Sequence, residues 1–87
     1  MTVIAKSELK HGAFYHGQCR NATVARWEGL NGMFFYVREK FGSRFIESIR
    51  HPEDDNGFDL FLPEYEILEE DYSDIPELLL TMSISPV

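Results

Sequence analysis

The sequence predicts a small, mainly β protein built on an antiparallel meander or a partly open barrel, with α+β as the alternative class. Short runs rich in β-branched and aromatic residues occur along most of the 87 residues, and the aromatic content of 14% is high. Turn residues separate these runs. The Asn31-Gly32 pair is a strong hairpin signal, because both residue types accept positive φ.

Four strand candidates precede the acidic part of the chain. Each is short, apolar or alternating, and bounded by Gly, Asn or Pro. They are residues 13–16, 22–28, 33–40 and 44–50. Four consecutive bulky residues, Met33 to Tyr36, suggest that the third candidate is covered on both faces. We expect at least three antiparallel strands between roughly residues 22 and 50.

The C-terminal part is less regular. Residues 58–61 alternate apolar and polar, which predicts one more short strand, and residues 64–71 are compatible with an edge strand or a short helix. Pro76-Glu77 favours a helix start, since Pro and acidic residues are accepted in the first helical turn. We expect one domain, residues 1–87, whose acidic C-terminal segment, residues 62–87, packs on the sheet or extends from it.

Charge is divided along the chain. Residues 1–50 contain all eight basic residues and four acidic ones, a net charge of +4, whereas residues 51–87 contain eleven acids and no Lys or Arg. The two parts together give the formal charge of −7. Either the two populations neutralise each other within the fold, or at least one of them is a binding face.

Two assumed turns define a candidate binding face. Suppose that Glu28 pairs with Met33 and Lys40 with Arg44. One face of the sheet then collects a mostly apolar set with one ion pair, between Arg26 and Glu47. This set is Val24, Arg26, Phe35, Val37, Phe45, Glu47 and Ile49.

The opposite face interleaves aromatic and cationic side chains, a mixture that can stack rings and hold phosphates. It comprises Ala25, Trp27, Phe34, Tyr36, Arg38, Lys40, Arg44, Ile46 and Arg50. The alternative is that Trp27, Phe34 and Tyr36 form a core covered by the C-terminal segment, with the cations at its rim.

Signals of catalysis or metal binding are weak. His11, His16 and His51 lack an established zinc-ligand spacing. Residues 53–59 lack the Asp-x-Asp-x-Asp-Gly order and the closing Glu of an EF-hand loop, and no Gly-rich phosphate loop is present. We therefore expect a protein that is not an enzyme and binds no cofactor or metal. Cys19, the sole cysteine, is interpreted as a small buried hydrophobe.

The first ten residues lack the basic-then-apolar run of a signal peptide. No apolar run approaches the roughly 20 residues that span a bilayer. We expect a cytoplasmic protein without a membrane partner.

Three runs resemble small, uncharacterised proteins encoded by bacteriophages and prophages. They are HGAFYHGQCRNATVARW (11–27), YVREKFG (36–42) and HPEDDNGFDLF (51–61). The resemblance covers about residues 9–61 and implies no site residues. It implies a host-cell cytoplasmic context in which proteins of this size often act as non-enzymatic inhibitors of host machinery, including defence systems such as CRISPR.

Two functional hypotheses follow. The first is a non-enzymatic binding protein that inhibits a host complex by protein contact or sequesters a nucleotide-like ligand. In this hypothesis the acids Glu69, Glu70 and Asp71 imitate phosphates, or the aromatic and basic face holds the ligand. The second is a nucleic-acid-binding sheet, against which the net charge of −7 weighs. A homo-oligomer is compatible with both hypotheses. The second would use Trp27, Tyr36, Arg38, Lys40 and Arg44.

Overall fold

One five-stranded antiparallel sheet forms the centre of the molecule in the computed structural model, which describes residues 3–54 and 60–86. The strands are β1 (Phe14–Gln18), β2 (Val24–Glu28), β3 (Met33–Lys40), β4 (Ser43–Arg50) and β5 (Leu62–Glu66). Their order across the sheet is β4-β3-β2-β1-β5. The predicted mainly β class is confirmed, as an open sheet.

Three short helical elements complete the described chain. A 3₁₀ turn, Lys6–Glu8, precedes β1, and two elements follow β5: an acidic 3₁₀ helix, Glu69–Asp74, and the helix α1, Glu77–Leu80. The helix predicted after Pro76 is confirmed, with Pro76 at its N-cap. None of the helices in residues 3–54 and 60–86 is long and apolar enough to cross a membrane.

The end of the sheet differs from the prediction. The strand expected at residues 58–61 lies mostly outside the described residues, and Leu60 and Phe61 are not in a strand. The fifth strand is β5, which overlaps the start of residues 64–71, where an edge strand or a short helix was expected. It occupies an edge of the sheet, where Pro63 is tolerated because an edge strand needs fewer backbone N–H donors.

The β2–β3 connection agrees with the expected register. Glu28 pairs with Met33, and the loop 29–32 joins the strands. Both Asn31 and Gly32 were expected to accept positive φ in this turn. Gly32 has a φ of +67°, but Asn31 has no positive φ. The Glu28 carboxylate stabilises the loop by accepting hydrogen bonds from the Leu30 N–H (2.6 Å) and from the Asn31 side chain (2.6 Å). Burial opposes ionisation of this carboxyl, but the hydrogen bonds outweigh it and lower its pKa.

We expect Gly32→Val to lower the free energy of unfolding by about 1 kcal/mol or more, because a β-branched residue is strained at positive φ. Chemical denaturation would measure the change. Leu30→Val, at an exposed position of the same loop without positive φ, is the matched control. Equal stability of the two variants would contradict the role assigned to Gly32.

The β3–β4 turn is one residue shorter than assumed. Lys40 pairs with Ser43, not with Arg44, around a two-residue loop in which Phe41 and Gly42 have φ values of +54° and +77°. A slip of one residue transfers every β4 side chain to the other face. The predicted set with Arg44, Ile46 and Arg50 on the Trp27 face is therefore wrong, and three other residues take their place. These are Phe45, Glu47 and Ile49.

The predicted Arg26–Glu47 ion pair is also wrong. Arg26 pairs with Phe35, which pairs with Ser48, so these three side chains share one face of the sheet. Glu47 precedes Ser48 in β4 and therefore points to the other face. The Arg26 guanidinium donates hydrogen bonds to the carbonyls of Gly12 (3.0 Å) and Met82 (2.9 Å) and lies 4.7 Å from the centre of the Phe14 ring. Arg26 thereby joins β2 to the chain after α1.

Two apolar clusters cover the two faces of the sheet. The first contains Tyr15, Ala25, Trp27, Phe34, Tyr36 and Phe61, with Ile4 and Leu9 packed against it. The second contains Phe14, Val24, Ile67, Ile75 and Leu79. Burial of Trp27, Phe34 and Tyr36 agrees with the core alternative, but their cover comes from the N-terminal segment and Phe61. The C-terminal segment covers the second face.

Candidate functional site

The β3–β4 hairpin extends past the rest of the sheet. Its strands pair over eight positions, whereas β2 pairs with β3 over three. In this register Val24, the first residue of β2, would lie opposite Val37, so the part of β3 beyond Val37 has no β2 residue beside it. Residues 38–45 therefore form a two-stranded projection, which we name the hairpin arm.

Exposed aromatic and cationic side chains cover the hairpin arm. Phe41 at its tip is 94% exposed and Phe45 is 37% exposed. Three basic residues and one acid give the arm a net charge of +2. They are Arg38, Lys40, Arg44 and Glu39. Large apolar side chains at such exposure, next to cations, are characteristic of protein-contact surfaces.

Phe41 is strained as well as exposed. Among the residues that the structure describes it is the one non-glycine with positive φ, and the left-handed region costs a bulky L-residue roughly 1–2 kcal/mol. Its ring gains little in return, since the contact recorded for it is the Lys40 ammonium, 5.4 Å from the ring centre. Backbone strain of this kind occurs preferentially at functional sites.

A polar cluster fixes the base of the arm to the core. The Tyr36 hydroxyl donates to Glu47 Oε2 (2.5 Å), and Arg38 Nη1 lies 3.2 Å from both carboxylate oxygens. The hydrogen bond from Tyr36, helped by Arg38, outweighs partial burial and lowers the pKa of Glu47. Burial, together with Glu47, raises the pKa of Tyr36. Tyr36 thus orients the arm from inside the core.

The structure separates the candidate residues into three places. Arg38, Lys40 and Arg44 are together on the arm, although Arg44 projects from the opposite face of the hairpin. Trp27 and Tyr36 are 3% and 2% exposed, so the expected open face of interleaved rings and cations is absent from the sheet. The exposed acids lie on the acidic 3₁₀ helix that follows β5 in the chain. They are Glu69, Glu70 and Asp71.

Phe41 and Phe45 are the arm residues that the sequence analysis missed. The assumed three-residue turn treated Phe41 as a connector and assigned Phe45 to a core face. The Phe41-Gly42 pair was the sequence signal that could have indicated a two-residue turn. A glycine at the second position of such a loop satisfies the positive φ of a type I′ hairpin.

One edge strand of the sheet, β5, is acidic, whereas the hairpin at the other edge carries the basic arm. Residues 62–74, which include β5, contain six acids and no Lys or Arg, whereas the basic arm belongs to β3 and β4. Four inter-strand steps, about 19 Å, separate the edge strands β4 and β5. Arg38 and Arg44 pair with Glu47 and Glu39 of their own hairpin (3.2 Å each).

The N-terminal lysines neutralise part of the acidic population. Lys6 pairs with Asp54 at 2.6 Å and Lys10 with Glu66 at 3.1 Å. Within the described ranges, no ion pair joins an arm cation to the acids of residues 62–77. The same ranges contain no group of three His, Cys, Asp or Glu residues that could hold a metal ion. Arg38 and Arg44 are therefore paired with acids of their own hairpin and not with the acidic segment.

Comparison of the chain with protein-family models, with curated proteins and with solved structures returned no match. The basis for a functional proposal is therefore the geometry of the arm and of the two charged edges.

Proposed function

We propose that this protein is a non-enzymatic binding protein that inserts the tip of its hairpin arm into a pocket of a partner protein. The observation that carries the proposal is Phe41, which is 94% exposed at a φ of +54°. Burying a Phe side chain contributes about 1.5–3 kcal/mol. Transfer of this ring into a partner would therefore offset a conformation that is unfavourable in the free protein.

The arm also favours a particular partner chemistry. Its cations flank Phe41 on both sides of the turn, and binding energy in interfaces concentrates on aromatic and Arg side chains. A pocket with an acidic rim would complement the net charge of +2. Together with the phage-type resemblance, this supports a host protein complex, such as a defence complex, as the target, and inhibition by contact as the action.

Nucleic-acid binding is the second candidate. Three cations and two exposed rings also match the composition of surfaces that bind single strands. The acidic edge and the burial of Trp27 and Tyr36 weigh against it, because few phosphate contacts and no broad stacking surface remain. A salt titration separates the candidates, since affinity for a single strand falls with a log–log slope of about −0.7 per phosphate contact.

We expect Phe41→Asn to retain or raise the free energy of unfolding, by up to about 1 kcal/mol, because Asn tolerates the left-handed region. The same change should weaken partner capture about tenfold or more, as loss of a central aromatic contact does. Immobilised protein, a bacterial host extract and quantitative mass spectrometry of retained proteins would measure capture. Leu68→Asn, at a residue 55% exposed beyond β5, is the matched control.

Two charge variants complete this experiment. Arg38→Ala/Arg44→Ala removes cations of the arm, and Glu69→Gln/Glu70→Gln/Asp71→Asn removes three of the four negative charges of the acidic 3₁₀ helix without changing the size of these side chains. Both should fold, since the Arg44–Glu39 pair is exposed, the Arg38–Glu47 pair is partly open to solvent, and such pairs contribute only about 0–1 kcal/mol each. The hydrogen bond from Tyr36 to Glu47 remains in the arm variant. The arm variant should lose capture and the acidic variant should keep it. Docking through the arm would be contradicted if the acidic variant lost capture while the arm variant kept it, or if Phe41→Asn left capture unchanged.

A further inference from the structure

An open cleft of about 510 Å³ lies at the end of the sheet opposite the arm tip. The N-terminal segment forms one wall and the 29–32 loop the other, and the lining includes Leu9, His11, Trp27, Gly29 and Leu30. The length of β3, about 24 Å, separates the cleft from the arm tip. Its volume is in the range of sites that bind small organic molecules.

The indole N–H of Trp27 is a donor without a protein acceptor. The residue is 3% exposed, and within the described chain Nε1 donates no hydrogen bond to a protein atom. Among the described residues, His16 Nδ1 is the one fully buried side-chain polar atom without a hydrogen-bond partner. Trp27 Nε1 also lacks a partner but does not belong to this class, so it is not completely buried. A Cβ built at Gly29 would lie 3.2 Å from Nε1. Because glycine has no side chain, position 29 leaves space beside this donor.

The histidine and the lysine that line the cleft already have partners. His11 Nε2 contacts the Ser85 carbonyl (2.5 Å), and its Nδ1 accepts the Gly29 N–H (2.9 Å). Lys6 Nζ is bound to Asp54 (2.6 Å) and the Lys6 N–H to Glu53 (2.8 Å). An indole N–H that reaches such a cleft takes its acceptor from water or from a bound molecule. The cleft therefore offers the indole N–H and the Ser7 hydroxyl as donors, beside the apolar side chains of Leu9 and Leu30.

The negative charges at and near the cleft disfavour an anionic ligand. The lining has one cation, Lys6, which is already paired with Asp54, and one carboxylate, Glu53. A third carboxylate, Glu28, lies 3.7 Å from the lining residue His11. A phosphate placed there would meet net negative charge. A neutral molecule with a flat apolar body would instead pack against Leu9 and Leu30 and use an acceptor atom for the indole N–H.

We propose that this cleft binds an uncharged, flat heteroaromatic molecule of about the size of a nucleobase, held by its ring between Leu9 and Leu30 and by an acceptor nitrogen or oxygen on Trp27 Nε1–H. This site is separate from the hairpin arm. It therefore adds a second binding activity that does not depend on the partner proposed above.

Trp27 is the sole tryptophan, so its indole reports on the cleft directly. We would titrate the protein with benzimidazole and adenine, following the indole ¹H–¹⁵N cross-peak and the tryptophan fluorescence, and use AMP as the charged counterpart. We expect a saturable downfield shift of the indole proton, a Kd of about 1 mM or tighter for at least one neutral probe, and weaker binding of AMP than of adenine.

Leu30→Ala should weaken binding about fivefold or more, and Leu78→Ala, which truncates a comparably exposed leucine of α1, should leave it unchanged. Gly29→Ala should reduce the indole shift by crowding the acceptor position. The proposal is wrong if neither neutral probe moves the cross-peak at about 10 mM, if AMP binds as well as adenine, or if Leu30→Ala and Leu78→Ala behave alike.

Discussion

Replacement of Trp27 by alanine is expected to lower the free energy of unfolding by about 3–5 kcal/mol. The indole is buried in the first cluster, with its centre 4.7 Å from the Phe34 ring and 6.1 Å from the His51 ring. A domain of this length has a total stability of roughly 4–13 kcal/mol, at 0.05–0.15 kcal/mol per residue. The variant should therefore lose a large share of its stability.

Urea denaturation followed by far-ultraviolet circular dichroism would measure this loss, because the tryptophan signal is removed with the residue. Phe45→Ala, which truncates an aromatic residue at the 37% exposed position of the arm, is the control and should cost far less. A Trp27→Ala variant as stable as the parent would show that the first cluster does not depend on the indole.

Gly17→Ala should lower the free energy of unfolding by roughly 3 kcal/mol, although it adds one methyl group. A Cβ at this position would lie 2.2 Å from the Leu62 carbonyl oxygen and 2.8 Å from the Phe61 ring. The β1–β5 register shifts between His16 and Gly17, so the backbones approach most closely where the strand is irregular. The methyl group must displace β5 or bend β1.

Gly29→Ala is the matched control, because it adds the same methyl group at ordinary φ with its nearest contact at 3.2 Å. Urea denaturation of both variants gives the comparison, and amide hydrogen exchange would report whether β5 is released first. Equal stability of Gly17→Ala and Gly29→Ala would contradict the account of the β1–β5 contact.

Local sequence signals predicted the strands and the C-terminal helix better than they predicted how these elements pack together. The β2–β3 register agrees with the assumed pairing of Glu28 with Met33, because the Asn31-Gly32 signal marks a turn within residues 29–32. The β3–β4 register was not, since a Phe at positive φ is unfavourable and the usual turn rules select against it. That one unfavourable residue reversed the faces of all of β4.

The cover of the first face was equally hidden from the sequence. It depends on His51, which is 1% exposed, packs beside Trp27 and Phe34, and lies 3.0 Å from the Ile4 carbonyl through Nε2. This contact spans 47 residues, and no local pattern indicates it. The sequence therefore predicted the cations of the candidate site, Arg38, Lys40 and Arg44, and burial of Trp27 as one of two alternatives. It predicted neither the exposure of Phe41 nor the segments that cover Trp27.

Site-specific photo-crosslinking tests docking through the hairpin arm most directly. Benzoylphenylalanine would be incorporated at position 41 in one variant and at position 68 in another, and each would be irradiated in a bacterial host extract. Phe41 and Leu68 are 94% and 55% exposed, so both probes are accessible to solvent and to partners. We expect a discrete protein adduct from position 41 and none from position 68. An adduct from position 68 alone, equal adducts from both positions, or none from position 41 would contradict the account.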